Sequence, residues 1–175
     1  ADALRGKAKS SALTMSTDPA EILRMVEAVR PDIVHISTDT DAVDVPTLRH
    51  IRAALPPGIQ VMKAIHVEGP QSIAAALAFA PISDILLLDT KVVGLPGVGA
   101  TGKTHDWRIS RQIIEQVGDQ AGVILAGGLT PENVATAIHA TRPWGVDSFT
   151  GTNHPGGRKD LSLVRRFVEN AALAE

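Results

Sequence analysis

Short apolar runs and longer stretches with apolar residues every three or four positions alternate along the whole chain. Ser11-Ala12-Leu13-Thr14-Met15 reads as a strand, and Asp18 followed by Pro19 reads as the N-cap and first position of a helix. Ile22, Leu23, Val26 and Val29 give that helix one apolar face, and Pro31 bounds it. The rhythm then repeats. Ile33–Ile36 is strand-like, and a helix opening at Pro46 carries Leu48, Ile51 and Leu55 before Pro56-Pro57-Gly58 breaks it. Ile59–Ile65 is strand-like and precedes an Ala-rich helix from Pro70 to Ala80. Ile85–Leu88 precedes a glycine-rich loop and a helix from about Asp106 to Val117. Val123–Ala126 runs into Gly127-Gly128, after which Thr130 as cap, Pro131 at the first position and Asn133 at the third predict another helix. Gly145-Val146-Asp147 enters the last strand, and Asp160 to Ala172 is the final helix.

Six strands, each followed by a helix, predict a parallel α/β fold, because parallel strands need a crossover connection. Nothing in the composition marks a second domain, so residues 1–175 are read as one domain. Polar and glycine residues gather at strand C-termini: Asp89, Gly127-Gly128 and Thr150-Gly151. Closed barrels and open doubly wound sheets both place their sites there, so periodicity does not choose between them.

Composition narrows the function. A net charge of −2, a pI near 6.3 and only 3% aromatics give no basic or base-stacking surface for nucleic acid. Cysteine is absent, which removes disulfides, thiolate metal sites and a Cys nucleophile within these residues. The six histidines (35, 50, 66, 105, 139 and 154) form no HExxH or other tight ligand pattern, so no metal is expected. No apolar run approaches the ~20 residues of a membrane span, and Ala1–Lys7 has no signal-peptide core. A soluble cytoplasmic protein with neither membrane nor nucleic-acid partner is the expectation.

Gly97-Val98-Gly99-Ala100-Thr101-Gly102-Lys103-Thr104 matches G-x-x-x-x-G-K-[ST], the P-loop pattern, letter for letter. Its surroundings argue against nucleotide binding. A P-loop turns sharply out of a strand, so that backbone N–H groups and the next helix converge on phosphates. Here Thr90 to Pro96 separates Asp89 from Gly97 as a Gly/Pro-punctuated connection. A strand-borne Asp for magnesium would also be wanted after the loop, whereas Asp89 lies before it.

Three segments carry a resemblance: Leu86-Leu87-Leu88-Asp89-Thr90-Lys91, Gly99 to Trp107, and Ile124 to Val134 with its AGGL-x-PENV sequence. Val61–Ile65, Arg142–Asp147 and Pro155–Asp160 support it. Together, in order from about Ser11 to Ala172, they resemble the phosphoribosylanthranilate isomerase family, small (β/α)8 TIM-barrel enzymes of tryptophan biosynthesis. The resemblance places the Gly-Lys-Thr segment in the loop after the family's sixth strand, which makes the P-loop match a coincidence. It also implies an incomplete (β/α)8 barrel, whose six βα units match strands three to eight. The first two units are then expected upstream of Ala1. With them would come the cysteine that serves the family as general base and a region that helps hold the anthranilate carboxylate. Six strands do not close an eight-stranded barrel, so the Leu13 and Asp147 strands are expected as open edges that pair with a complementing segment or another copy.

The chemistry the resemblance implies is an Amadori rearrangement of a phosphosugar, with no cofactor. Asp89 matches the family's general acid; its plainer reading is a loop cap or a partner of Lys91 or Lys103. Burial at the end of an apolar strand raises a carboxyl pKa toward the range useful for donation. TIM-barrel enzymes often hold phosphate with the loops after strands seven and eight, here Gly127, Gly128, Thr150 and Gly151. Asp147 resembles the family's strand-eight aspartate near the ribose hydroxyls, or serves only to stabilise its loop. Lys103 balances substrate charge or is a solvated loop lysine. His66 and His105 are the histidines within reach of the mouth, and Trp107 anchors its helix to the core. Asp106 reads as the N-cap of that helix, and Asp39-Thr40-Asp41 as a solvated turn.

The chain departs from the family in two places. Val146-Asp147-Ser148-Phe149-Thr150-Gly151-Thr152-Asn153 stands where members read Val-Asp-Val-Ser-Ser-Gly-Val-Glu, so Phe149 replaces a small hydroxyl residue. His35-Ile36-Ser37-Thr38 replaces Gln-Leu-His-Gly, moving a histidine by two positions. These departures leave a non-catalytic phosphosugar-binding homologue as the first rival reading, with a P-loop NTPase using Lys103 as the second.

Overall fold

The computed structural model describes residues 6–90 and 104–174. The expected alternation is present throughout: β1 (Ser11–Thr14), α1 (Pro19–Val29), β2 (Ile33–Ile36), α2 (Val45–Ala54), β3 (Gln60–His66) and α3 (Gln71–Phe79). Then follow β4 (Ile85–Asp89), α4 (Trp107–Val117), β5 (Gly122–Leu125), α5 (Val134–Thr141), β6 (Gly145–Val146) and α6 (Leu161–Ala172). The residues segmented by apolar rhythm are therefore those that fold into each unit.

Local chemistry fixes most of the helix starts. Asp18 accepts from Ala20 N–H with Pro19 just inside α1, Asp44 accepts from Thr47 N–H, and Asp106 accepts from Arg108 N–H. One expectation is corrected. The helix predicted from Pro131 begins at Val134, with Asn133 as its N-cap. The Asn133 side chain accepts from Thr130 N–H at 2.8 Å and donates to Gly128 O at 3.0 Å, folding residues 130–133 into a turn rather than a first helical turn.

All six strands are parallel, and their spatial order is their chain order, β1-β2-β3-β4-β5-β6. This order decides between the two architectures left open above. A doubly wound sheet reverses direction from its starting strand to place helices on both faces. Adding strands always on the same side, with right-handed crossovers, keeps every helix on one face.

The packing agrees. One cluster joins residues of the helices (Ile22, Leu48, Phe79, Ile113, Val134, Phe167) to alternate strand residues such as Val34, Val61, Leu86, Leu88 and Leu125. A second contains Ile33, Met62, Ala64, Ile85, Leu87 and Ala126, with Ile124 against it, from strands and the end of β5 alone. The strand-only face is the inner wall. At the β1 edge that wall is open, with Leu13 57% exposed. Among the described residues β1 and β6 each pair with a single strand, and no helix is long and apolar enough to cross a membrane.

Candidate active site

Asp89 ends β4 on the inner face, in register with His66 of β3. Alternation places Ile85, Leu87 and Asp89 on that side, and the apolar strand leads the carboxyl into a half-buried position. Burial raises its pKa above the usual carboxylate range, opposed by the N–H of Thr90, which donates to Oδ1 at 2.7 Å, and by His66. Asp147 follows β6, its N–H donating to Leu125 O at 2.9 Å. Although Asp147 is open to solvent at the mouth, lost hydration and the charge of Asp89 raise its pKa, and Lys159 pulls it back. Two carboxyls thus sense one another across the mouth.

The turn after β5 closes directly on the first of them. Gly127 and Gly128 both take left-handed conformations, φ +82° and +67°. A Cβ on Gly127 would lie 2.7 Å from Thr90 N and 3.0 Å from Asp89 Oδ1, so only glycine lets the turn approach the acid this closely. The turn is in turn joined to the loop after β6. Ser148 Oγ donates to Leu129 O at 2.7 Å, and a Cβ on Gly151 would meet Leu129 C at 2.9 Å and Ser148 Oγ at 3.0 Å. Asp89, Gly127, Gly128, Asp147 and Gly151 therefore come together, and Thr150 begins the one-turn helix Thr150–Thr152 beside them. Lys103 lies outside the described residues, as do Lys91 and residues 97–103 of the P-loop pattern.

The flank of that pattern speaks against nucleotide binding. The N-terminus of α4 is occupied by the Asp106 carboxylate, which hydrogen bonds from Arg108 hold down at about 2. An anion is already seated where a P-loop helix would receive phosphate.

His66 and His105 do stand at this end of the sheet, but their partners, and two lysines, escaped sequence reasoning. His105 Nδ1 meets Thr90 Oγ1 at 3.0 Å and its Nε2 meets Ser110 Oγ at 2.6 Å, tying the residue beside the acid to α4. Burial lowers the His105 pKa to about 4, Asp106 opposing, so the ring is neutral. His66 Nδ1 lies 2.9 Å from Asp39 Oδ1, which makes Asp39 a hydrogen-bond partner at the mouth rather than part of a purely solvated turn. Lys63 is fully buried against the helix layer, its ammonium donating to Thr38 O at 2.5 Å and Ala64 O at 3.0 Å, 5.5 Å from the Phe79 ring centroid. Lys159 donates to Phe149 O at 2.6 Å and to Thr152 Oγ1 at 2.9 Å. Thr90 and Lys159 adjoin or sit within the quoted motifs, which was the available signal; Lys63 announces itself only as a charge inside an apolar strand. As expected, Trp107 packs on the main core; His50 and His139 are exposed helix residues.

A parallel sheet in sequential order, helices outside and polar groups at the carboxyl ends of its strands, defines a protein of the TIM-barrel-like α/β class. Within that class, the family signature of N-(5'-phosphoribosyl)anthranilate (PRA) isomerase spans residues 5–170. An N-(5'-phosphoribosyl)anthranilate isomerase of Methanocella arvoryzae is 40% identical over 159 residues, 90% of this chain and 70% of that protein. A second such isomerase, from Methanosarcina mazei, is 38% identical over 91% of this chain and 68% of its own length. The crystal structure of phosphoribosyl anthranilate isomerase from Thermotoga maritima superimposes with a TM-score of 0.73 at 30% identity, over 95% of this chain and 74% of that one. The chain belongs to the phosphoribosylanthranilate isomerase family.

Proposed function

We propose that this chain carries the acid and the phosphate grip for the Amadori rearrangement of N-(5'-phosphoribosyl)anthranilate, in cytoplasmic tryptophan biosynthesis. Family membership supplies the reaction class. The observation that carries the residue assignment is the closure of the Gly127 turn onto Asp89 and Thr90.

Asp89, its pKa raised by burial, donates to the ribose ring oxygen as the C1–O bond breaks, leaving a Schiff base and the Asp89 carboxylate. Removal of the C2 proton then feeds that electron pair toward nitrogen, and the resulting enolamine tautomerises to the aminoketose. Gly127, Gly128, Thr150 and Gly151 hold the 5'-phosphate, Asp147 faces the ribose hydroxyls, and Lys103 offsets substrate charge. The six βα units are read as the third to the eighth of a single barrel domain. A complementing segment beside β1 and β6 closes the barrel and brings the base, whereas a second copy of this chain, which has no cysteine, would close it without one.

The test follows disappearance of phosphoribosylanthranilate, using the chain with and without a segment covering the family's first two βα units. Turnover is expected with the segment, falling about 10²–10⁴-fold in Asp89→Asn. Unchanged turnover in Asp89→Asn refutes the acid assignment. Phosphosugar binding without turnover in either arm establishes the binder reading, which Phe149 at the phosphate loop favours.

A further inference from the structure

The charges around the phosphate grip do not by themselves favour an anion. Two carboxyls, Asp89 and Asp147, face the mouth, His105 is neutral, and His66 is committed to Asp39. Among the described residues, one cation reaches this end of the sheet by an unexpected route. After Thr152 the chain leaves as a short excursion and returns, Asn153 bridging Lys159 antiparallel and Asp160 N–H donating to Thr152 O at 2.9 Å. The return sets the Lys159 ammonium against the turn it has just left. One N–H goes to Phe149 O and one to Thr152 Oγ1, and the Phe149 ring lies 4.6 Å from Nζ, at cation–π distance. The residue that breaks the family pattern is thus the platform that holds this lysine.

We infer that Lys159 is a binding and positioning residue of the phosphate site: its ammonium latches the Phe149–Thr152 turn and presents positive charge to the ligand's phosphate. This deepens the proposed function and rests on its placement of the phosphate. Two observations carry it. The ammonium bridges both ends of the turn containing Thr150 and Gly151, so removing it frees that turn. Its charge is felt at Asp147, the carboxyl that opens the same loop, so the ammonium lies within electrostatic reach of the mouth. Phe149, 63% exposed, covers one side of the ammonium with its ring, and Lys159 itself is an exposed residue.

The experiment measures binding of ribose 5-phosphate, inorganic phosphate and neutral ribose to the chain by calorimetry, with amide shifts at Gly127 and Gly128 as reporters. Lys159→Met is expected to weaken both phosphates about tenfold, equivalent to about 1.4 kcal/mol, and to flatten the salt dependence of binding. Lys159→Arg keeps the charge and recovers most of the affinity. Ribose affinity stays within twofold, which a collapse of the site would not allow. Wild-type chain that binds phosphate, with Lys159→Met within twofold of it, overturns the latch and leaves the proposed function standing. Wild-type chain that binds no phosphate overturns both.

Discussion

Taking the protein from about pH 7.5 to about pH 5 is expected to cost roughly 4 kcal/mol of stability through two imidazoles. His35 sits on the inner face of β2 with its Nε2 buried and without a hydrogen-bond partner among the described residues. Burial, seconded by the charge of Lys63, lowers its pKa from 6.5 to about 4. His105 is lowered to about 4 by burial, against a smaller opposing effect of Asp106. Both folded pKa values lie below the unfolded value, so the unfolded chain binds more protons between them. The stability these rings contribute is therefore complete above pH 6.5 and is lost as the pH falls through 4.

Integrating the linkage to about pH 5 gives roughly 2 kcal/mol for each ring, a large share of a total that is typically about 5–15 kcal/mol. With a urea dependence near 2 kcal/mol per molar, the midpoint drops by about 2 M. Asp89 and Asp147 work in the opposite direction, because raised carboxyl pKa values add stability as protons bind. The decisive comparison is thus between wild type and His35→Leu or His105→Gln, by urea unfolding at both pH values. Each variant should lose about half of the wild-type drop. A drop of equal size in wild type and both variants refutes the argument.

Lys63 makes the alkaline counterpart. Burial lowers it from 10.5 to about 8, against Asp39 and Asp41, so stability rises by up to about 3 kcal/mol as the pH climbs between those values. The chain has neither Tyr nor Cys to mask the effect, and a urea series on Lys63→Met should show it flattened. Gly127→Ala places a Cβ 3.0 Å from Asp89 Oδ1 at φ +82°, whereas Gly157→Ala, at φ +81°, meets nothing within 4 Å. Urea midpoints should report about 1 kcal/mol for the latter, the conformational cost alone, and about 3 kcal/mol or more for the former. Equal losses would mean that the Gly127 turn does not rest on the acid.

Elements were legible in the sequence wherever their cause is local. Asp18-Pro19 and Asp106 announced their helices because a cap acts within three residues. Asp89 stood out because four apolar residues precede it. The start of α5 was misread for the opposite reason: Asn133 spends its side chain on Gly128 and Thr130 instead of extending the helix. Sheet architecture was hidden from periodicity, which records the crossovers but not the side on which each new strand is added, and was legible only through the family resemblance. Gly127-Gly128 was readable as a turn, yet the contact that requires glycine at Gly127 comes from Asp89 and Thr90 on another strand. The partners of His105 were similarly opaque, because Thr90 and Ser110 meet only once the chain has crossed from β4 to α4.

Those nonlocal contacts make the proposed acid and phosphate functions interdependent. Thr90 holds Asp89 by its N–H, is braced by His105 through its hydroxyl, and supports the Gly127 turn. Displacing any one of these groups therefore moves the other two. Charge couples them a second time. A phosphate dianion brought to that turn disfavours ionisation of the nearby carboxyls, just as Asp89 already does for Asp147. In the proposed reaction, the ligand's own phosphate thus helps keep the proton on Asp89 until the ring oxygen takes it. Lys159, whose charge lowers the pKa of Asp147, limits the repulsion, so the loop proposed to grip the anion also moderates the field in which the acid works.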